Sequence, residues 1–123
     1  MTSDDVRVRV TRDLGAWQPP VIEPGTTIGV PWSGERYGPE IERLWAALVT
    51  PYEQRFVLQE YDVPERERVE GEATYWVVAS TEAMHLWYDE ATGEYGVGEP
   101  ARDGGLPVSI GLRGDIVGSF CAW

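Results

Sequence analysis

Two hairpins in succession, between residues 73 and 98, restrict this chain more than any other feature. The runs ATYWVVAS (73–80) and AMHLWYD (83–89) are rich in β-branched and aromatic residues, with a tight turn at Ser80 to Ala83. A second hairpin joins Tyr88 to Tyr95 around Glu90-Ala91-Thr92-Gly93, with Gly93 where a four-residue loop takes a positive φ. Four-residue loops at both turns predict the pairs Ala79–Met84, Val77–Leu86 and Tyr75–Tyr88, then Leu86–Val97 and Tyr88–Tyr95. One predicted face is therefore Tyr75, Val77, Ala79, Met84, Leu86, Tyr88, Tyr95 and Val97, a continuous wall for a helix. The other carries Trp76 opposite Trp87 and Val78 opposite His85, beside Gly96 and Gly98. Glycines next to a tryptophan leave room above a sheet. Either another segment fills that room with Trp17 or Trp32, or Trp76, His85 and Trp87 line a ligand face.

The helix for that wall is predicted from Pro39, a good first helical residue. Ile41, Leu44, Trp45 and Leu48 follow at one-face spacing, with Glu40, Glu42 and Arg43 on the other side. Thr50-Pro51-Tyr52-Glu53 has the form of a capping box opening a second short turn. Residues 55–63 (RFVLQEYDV) read as a strand, as does the start, where Val6, Val8 and Val10 alternate with Arg7 and Arg9. Between Leu14 and Gly38, Pro19, Pro20, Pro24 and Pro31 mix with five glycines. This arm is irregular, yet Trp17, Val21, Ile22, Ile28, Val30 and Trp32 make it too apolar for a free linker, so it is expected to wrap the core. Near the end, Val108, Ile110 and Leu112 have strand spacing; after Gly114, either Asp115 caps a short final helix bearing Ile116, Val117, Phe120 and Cys121, or a strand follows with Val117, Ser119 and Cys121 on one side. The expectation is an α+β fold: a small single domain over residues 1–123, with the arm at 14–38. An antiparallel meander packed on one main helix occupies 39–121.

Composition removes several functions. Twenty-one acids against ten bases give a net charge of −11, which repels nucleic acid and anionic membrane and favours a basic partner. All ten bases are arginine, so lysine Schiff-base and P-loop chemistry are excluded. Cys121 is the only cysteine, which fits a reducing compartment. No apolar run reaches the ~20 residues of a membrane span, and the start lacks the apolar core of a signal peptide. A soluble cytoplasmic protein is expected.

No catalytic constellation stands out, and neither cofactor nor metal is expected. His85 is the sole histidine, and one His with one Cys is too few for a usual zinc site. A His85–Cys121 nucleophile pair lacks any local sign of an activated thiol. The run Glu60, Asp62, Glu65, Glu67, Glu70 and Glu72, interleaved with Arg66 and Arg68, lacks calcium-loop spacing. It reads either as a solvated connection or as an acidic docking edge for an Arg/Lys-rich partner. Gly96-x-Gly98 lacks the rest of a dinucleotide site, and Arg113-Gly114-Asp115 reads as a turn.

A helix after an irregular arm, then a meander containing Tyr88-Asp89-Glu90-Ala91-Thr92-Gly93-Glu94, resembles the SUKH superfamily of small bacterial immunity proteins. Its α+β domains often carry a Tyr-Asp-x-x-Thr-Gly-Glu hairpin. The resemblance spans roughly residues 39–121 and implies no enzyme activity, but neutralisation of a partner toxin or service as an interaction module. The expected function is thus a non-enzymatic immunity protein against a basic toxin such as a nuclease. Trp32, Tyr37, Glu60, Asp62, Glu65 and Glu67 would form the contact, because aromatic anchors ringed by charge suit tight interfaces. Two other functions stay open: a small-molecule module using Trp76, His85 and Trp87, and a DNA mimic that occupies a nucleic-acid-binding protein.

Overall fold

The structure, a computed structural model, describes residues 1–18, 34–58, 71–101 and 104–121. Its order is α1 (Ser3–Ala16), α2 (Gly34–Ala47), β1 (Leu48–Val57), β2 (Glu72–Ser80), β3 (His85–Asp89), β4 (Glu94–Glu99), β5 (Val108–Gly114) and α3 (Ile116–Cys121). This is an α+β architecture with three helices and a mixed sheet. The strands close into a barrel in sequence order. Neighbours are antiparallel except at the β5–β1 seam, where a single parallel pair, Val57 with Val108, makes the closure. There the Val57 N–H donates to the Pro107 carbonyl at 2.9 Å. No helix among the described residues is long and apolar enough to cross a membrane.

The expected N-terminal strand is instead the helix α1. Val6, Val8 and Val10 satisfy a period of two, but Val6, Val10 and Leu14 also satisfy helical spacing, and those three are the buried ones. Val8 is left 67% exposed. The start is locked by Thr2: its Oγ1 accepts from the Asp5 N–H (3.2 Å), while Asp5 Oδ2 accepts from the Thr2 N–H (2.8 Å). Asp4 and Asp5 also put negative charge in the first turn, where the helix dipole favours it.

Leu14, Gly15 and Ala16 therefore belong to α1, Trp17 and Gln18 follow its end, and residues 34–38 belong to α2; residues 19–33 of the predicted arm lie outside the described residues. Pro39 sits inside α2 rather than opening it. The apolar stripe also shifts. Leu44 is fully buried with Tyr37, Ile41 and Ala47 packed around the same core, whereas Trp45 is 42% exposed and Leu48 already starts β1. Thr50 to Glu53 form no helical turn. They run within β1, where the pairing jumps between Leu48 and Tyr52, and Pro51, which has no N–H for a ladder, sits in that irregularity.

The second hairpin has the predicted register, Leu86 with Val97 and Tyr88 with Tyr95. Gly93 adopts φ 76°, as the loop demands. The first hairpin does not: β2 is offset, pairing Trp76 with Tyr88 and Val77 with Trp87, and a bulge follows before Ala79 meets Leu86. Since side chains alternate, the offset turns β2 over. Tyr75 and Val77 point into the barrel with Phe56 and Trp87. Trp76 and Val78 point out, joining Leu86, Tyr88, Tyr95 and Val97 beneath the helices.

Inside the barrel the fit is close. A Cβ on Gly98 would stand 2.8 Å from Cε1 of Phe56 and 3.0 Å from the Val108 carbonyl oxygen, whereas Gly15 on α1 has nothing within 4 Å. Gly98→Ala should therefore lose about 1–3 kcal/mol through overpacking. Gly15→Ala should gain up to ~1 kcal/mol from helix propensity. Urea unfolding of the two variants should show shifts of opposite sign.

Candidate functional site

The inner face converges on Arg113. It leaves β5 opposite Gly96, and with no side chain there its guanidinium lies over the Trp87 ring (5.0 Å) and the Tyr75 ring (5.5 Å). Those rings stack, with centroids 4.1 Å apart and planes 16° apart. Nη1 donates to Asp89 Oδ2 at 3.1 Å and Nη2 to the Tyr75 hydroxyl at 2.7 Å; Glu94 lies 3.7 Å from Nη1. Burial opposes this charge, but the Asp89 hydrogen bond and nearby acidic groups outweigh it, so the guanidinium pKa is raised. The other Asp89 oxygen accepts from the Ala91 N–H at 3.0 Å. One carboxylate thus shapes the Tyr-Asp-x-x-Thr-Gly-Glu turn and anchors β5. The inner face also carries a cost: Trp87 Nε1 and Ser109 Oγ are buried with no hydrogen-bond partner among the described residues.

The residues of the expected ligand face do not share a surface. Trp76 is buried under the helices, Trp87 is fully buried inside the barrel, and His85 is half-buried at the β2–β3 turn. The β2 offset separates them. His85 Nδ1 lies 2.8 Å from Ser80 Oγ, its cross-strand pair, and burial holds the imidazole below its ordinary pKa.

Of the expected partner contacts, only Tyr37 lies among the described residues; Trp32, Glu60, Asp62, Glu65 and Glu67 lie outside them. Tyr37 is half-buried against Trp17, with centroids 4.9 Å apart, and Trp17 Nε1 donates to Asp115 Oδ1 at 3.2 Å. Asp115 also accepts from the Gly118 N–H at 2.6 Å and caps α3, so the final element is the helix and not the strand. Tyr37 accordingly ties α2 to α1 and α3.

Surface charge is the remaining feature. Each arginine with a described side chain has a carboxylate partner on the chain. Arg7 pairs with Asp4, Arg9 and Arg12 with Asp13, Arg43 with Glu40, Arg55 with Glu72 and Arg113 with Asp89. Glu42, Glu53 and Glu82 are exposed and have no ion pair among the described residues. Among those residues no group of three or more His, Cys, Asp or Glu is placed to hold a metal. No protein family model matches the chain, and neither curated proteins nor solved structures give a match.

Sequence reading passed over Arg113, because Arg113-Gly114-Asp115 had the look of a turn. Its usable signal was Gly96, a glycine beside Trp87 that leaves space for a cation. Replacing Arg113 with Met leaves Asp89, only 13% exposed, without its cation and should cost roughly 2–4 kcal/mol. Lys should not restore it, because one ammonium cannot reproduce the planar fork over two rings. Denaturant unfolding with near-ultraviolet circular dichroism of the Tyr75–Trp87 stack measures both.

The His85 shift sets a pH dependence. Burial favours the neutral ring, so the unfolded chain takes up the proton first as the pH drops. The contribution is complete above the unfolded pKa of 6.5 and is lost as pH falls below that value toward the lower folded pKa. Unfolding free energies on either side of pH 6.5 should fall more for the wild type than for His85→Gln.

Proposed function

We propose that this chain is a non-enzymatic acidic binding protein that neutralises a basic protein partner, as bacterial immunity proteins do with a cytoplasmic toxin. One observation carries the reading: the arginines with described side chains are matched by carboxylates of the same chain, while exposed acids remain unmatched on a chain of net charge −11. Such a surface steers a basic partner into encounter and repels nucleic acid. The hairpin Tyr88 to Glu94, with Asp89 and Thr92 each accepting a backbone N–H within it, supports the likeness to immunity domains. The small-molecule alternative loses its motivation, since Trp76 and Trp87 are buried on opposite faces of the sheet. We assign the contact to Trp32, Tyr37, Glu60, Asp62, Glu65 and Glu67, because aromatic anchors together with a carboxylate-rich run suit a tight interface with a basic partner.

Affinity capture from a native lysate at low and high salt tests this. A single basic protein should be retained at low salt and released at high salt, and co-expression should protect cells from its toxicity. Reversing Glu60, Asp62, Glu65 and Glu67 to Arg together should weaken binding at least ~10-fold and flatten its salt dependence. A partner bound equally well by that variant would remove the assigned contact. No partner at either salt, with no protection, would remove the function.

A further inference from the structure

The outward face of α1 is built to meet itself. Burial of Val6, Val10 and Leu14 turns the opposite side of the helix to solvent, where Asp4, Val8, Thr11, Arg12 and Gly15 are all exposed. Val8, at 67%, is more exposed than Met1, Trp45, Tyr52 or Val57. Asp4 precedes it by four residues and Arg12 follows it by four, so the three stand in one row along the helix. The row reads acid, apolar, base.

Such a row is complementary to its own reversed copy. With a two-fold axis at Val8, an antiparallel second α1 sets Val8 against Val8 and each Asp4 against the opposing Arg12. A parallel arrangement would set Asp4 on Asp4 and Arg12 on Arg12. Antiparallel packing also opposes the two helix dipoles favourably. Gly15, with nothing within 4 Å of the position its Cβ would take, keeps the end of the row low. The partners these charges already have are weak rivals. Asp4–Arg7 (3.5 Å) is an exposed pair, and Asp13, beside Arg12, is already engaged by Arg9 and the Tyr95 hydroxyl. Charge balance points to the same surface. Two copies at −11 repel in general, but α1 carries Asp4, Asp5 and Asp13 against Arg7, Arg9 and Arg12 and is neutral.

We propose that α1 forms a homodimer interface in which two copies pack antiparallel through Val8, with reciprocal Asp4–Arg12 pairs. One pair of short helices lies below the ~1,200 Å² of standard interfaces, so the dimer is weak, with a Kd of about 0.1–1 mM.

Sedimentation velocity over a concentration series reaching the millimolar range, at physiological ionic strength, tests it. The wild type should shift from monomer to dimer. Asp4→Arg and Arg12→Asp should each weaken association at least ~10-fold. The double variant D4R/R12D should recover it, because the exchanged charges are again complementary across the axis. Circular dichroism of each variant confirms that α1 is intact. A chain that stays monomeric throughout overturns the proposal. So do single reversals that associate as strongly as the wild type, or a helical double variant that fails to recover.

Discussion

The sheet is buried on both faces, and the offset between β2 and β3 decides which large side chains go to each. Pairing Val77 with Trp87 sends Tyr75 and Val77 inward to a closed aromatic cluster and Trp76 and Val78 outward under the helices. Slipping β2 by one position would drive Trp76 into a space already occupied by Phe56 and Trp87, and would leave the helices facing Tyr75. The bulge before Ala79 absorbs the mismatch at the turn, so Ala79 and Met84 still reach the helix-side core.

Two polar bridges of the same composition secure the two faces. Inside, Arg113, Asp89 and Tyr75 join β5, β3 and β2; outside, Arg9, Asp13 and Tyr95 join α1 to β4. Each is an arginine, an aspartate and a tyrosine hydroxyl, and each connects segments far apart in sequence. Partly buried polar networks of this kind strengthen one arrangement because leaving a member unpaired is costly. Burial and the neighbouring Asp13 push the Tyr95 hydroxyl pKa far up, so it stays a donor throughout the physiological range. These bridges engage two arginines, and Arg7, Arg12, Arg43 and Arg55 also pair with carboxylates of the chain. Outward-facing carboxylates then dominate the electrostatics, and the proposed binding of a basic partner follows from that imbalance.

Legibility differed from segment to segment for identifiable reasons. The hairpin around Gly93 could be read because Asp89, Thr92 and Gly93 encode it locally, through an Asx turn, a hydroxyl acceptor and a positive φ. The valines of α1 fitted two periods at once, and only Leu14 and the Thr2–Asp5 cap separate them. Pro39 and Pro51 misled for a common reason: each looked like the boundary of an element, yet one lies within α2 and the other at an irregularity in β1. The ligand face was an artefact of register, since Trp76 and Trp87 face one another only if the Ser80 turn has the assumed length. Arg113 was hidden because its importance depends on a ring stack contributed by two other strands.

The sequence by itself determined the strand content of the meander, the second turn and the acidic excess, because each rests on residues adjacent in the chain or on composition. Only the tertiary structure decided which face each tryptophan occupies, that the strands close at Val57 and Val108, and that Arg113 lies on the Tyr75–Trp87 stack. These depend on contacts between distant segments. In a two-sided sheet an offset of one residue reverses every side chain, so a small long-range packing preference outweighs the local pattern.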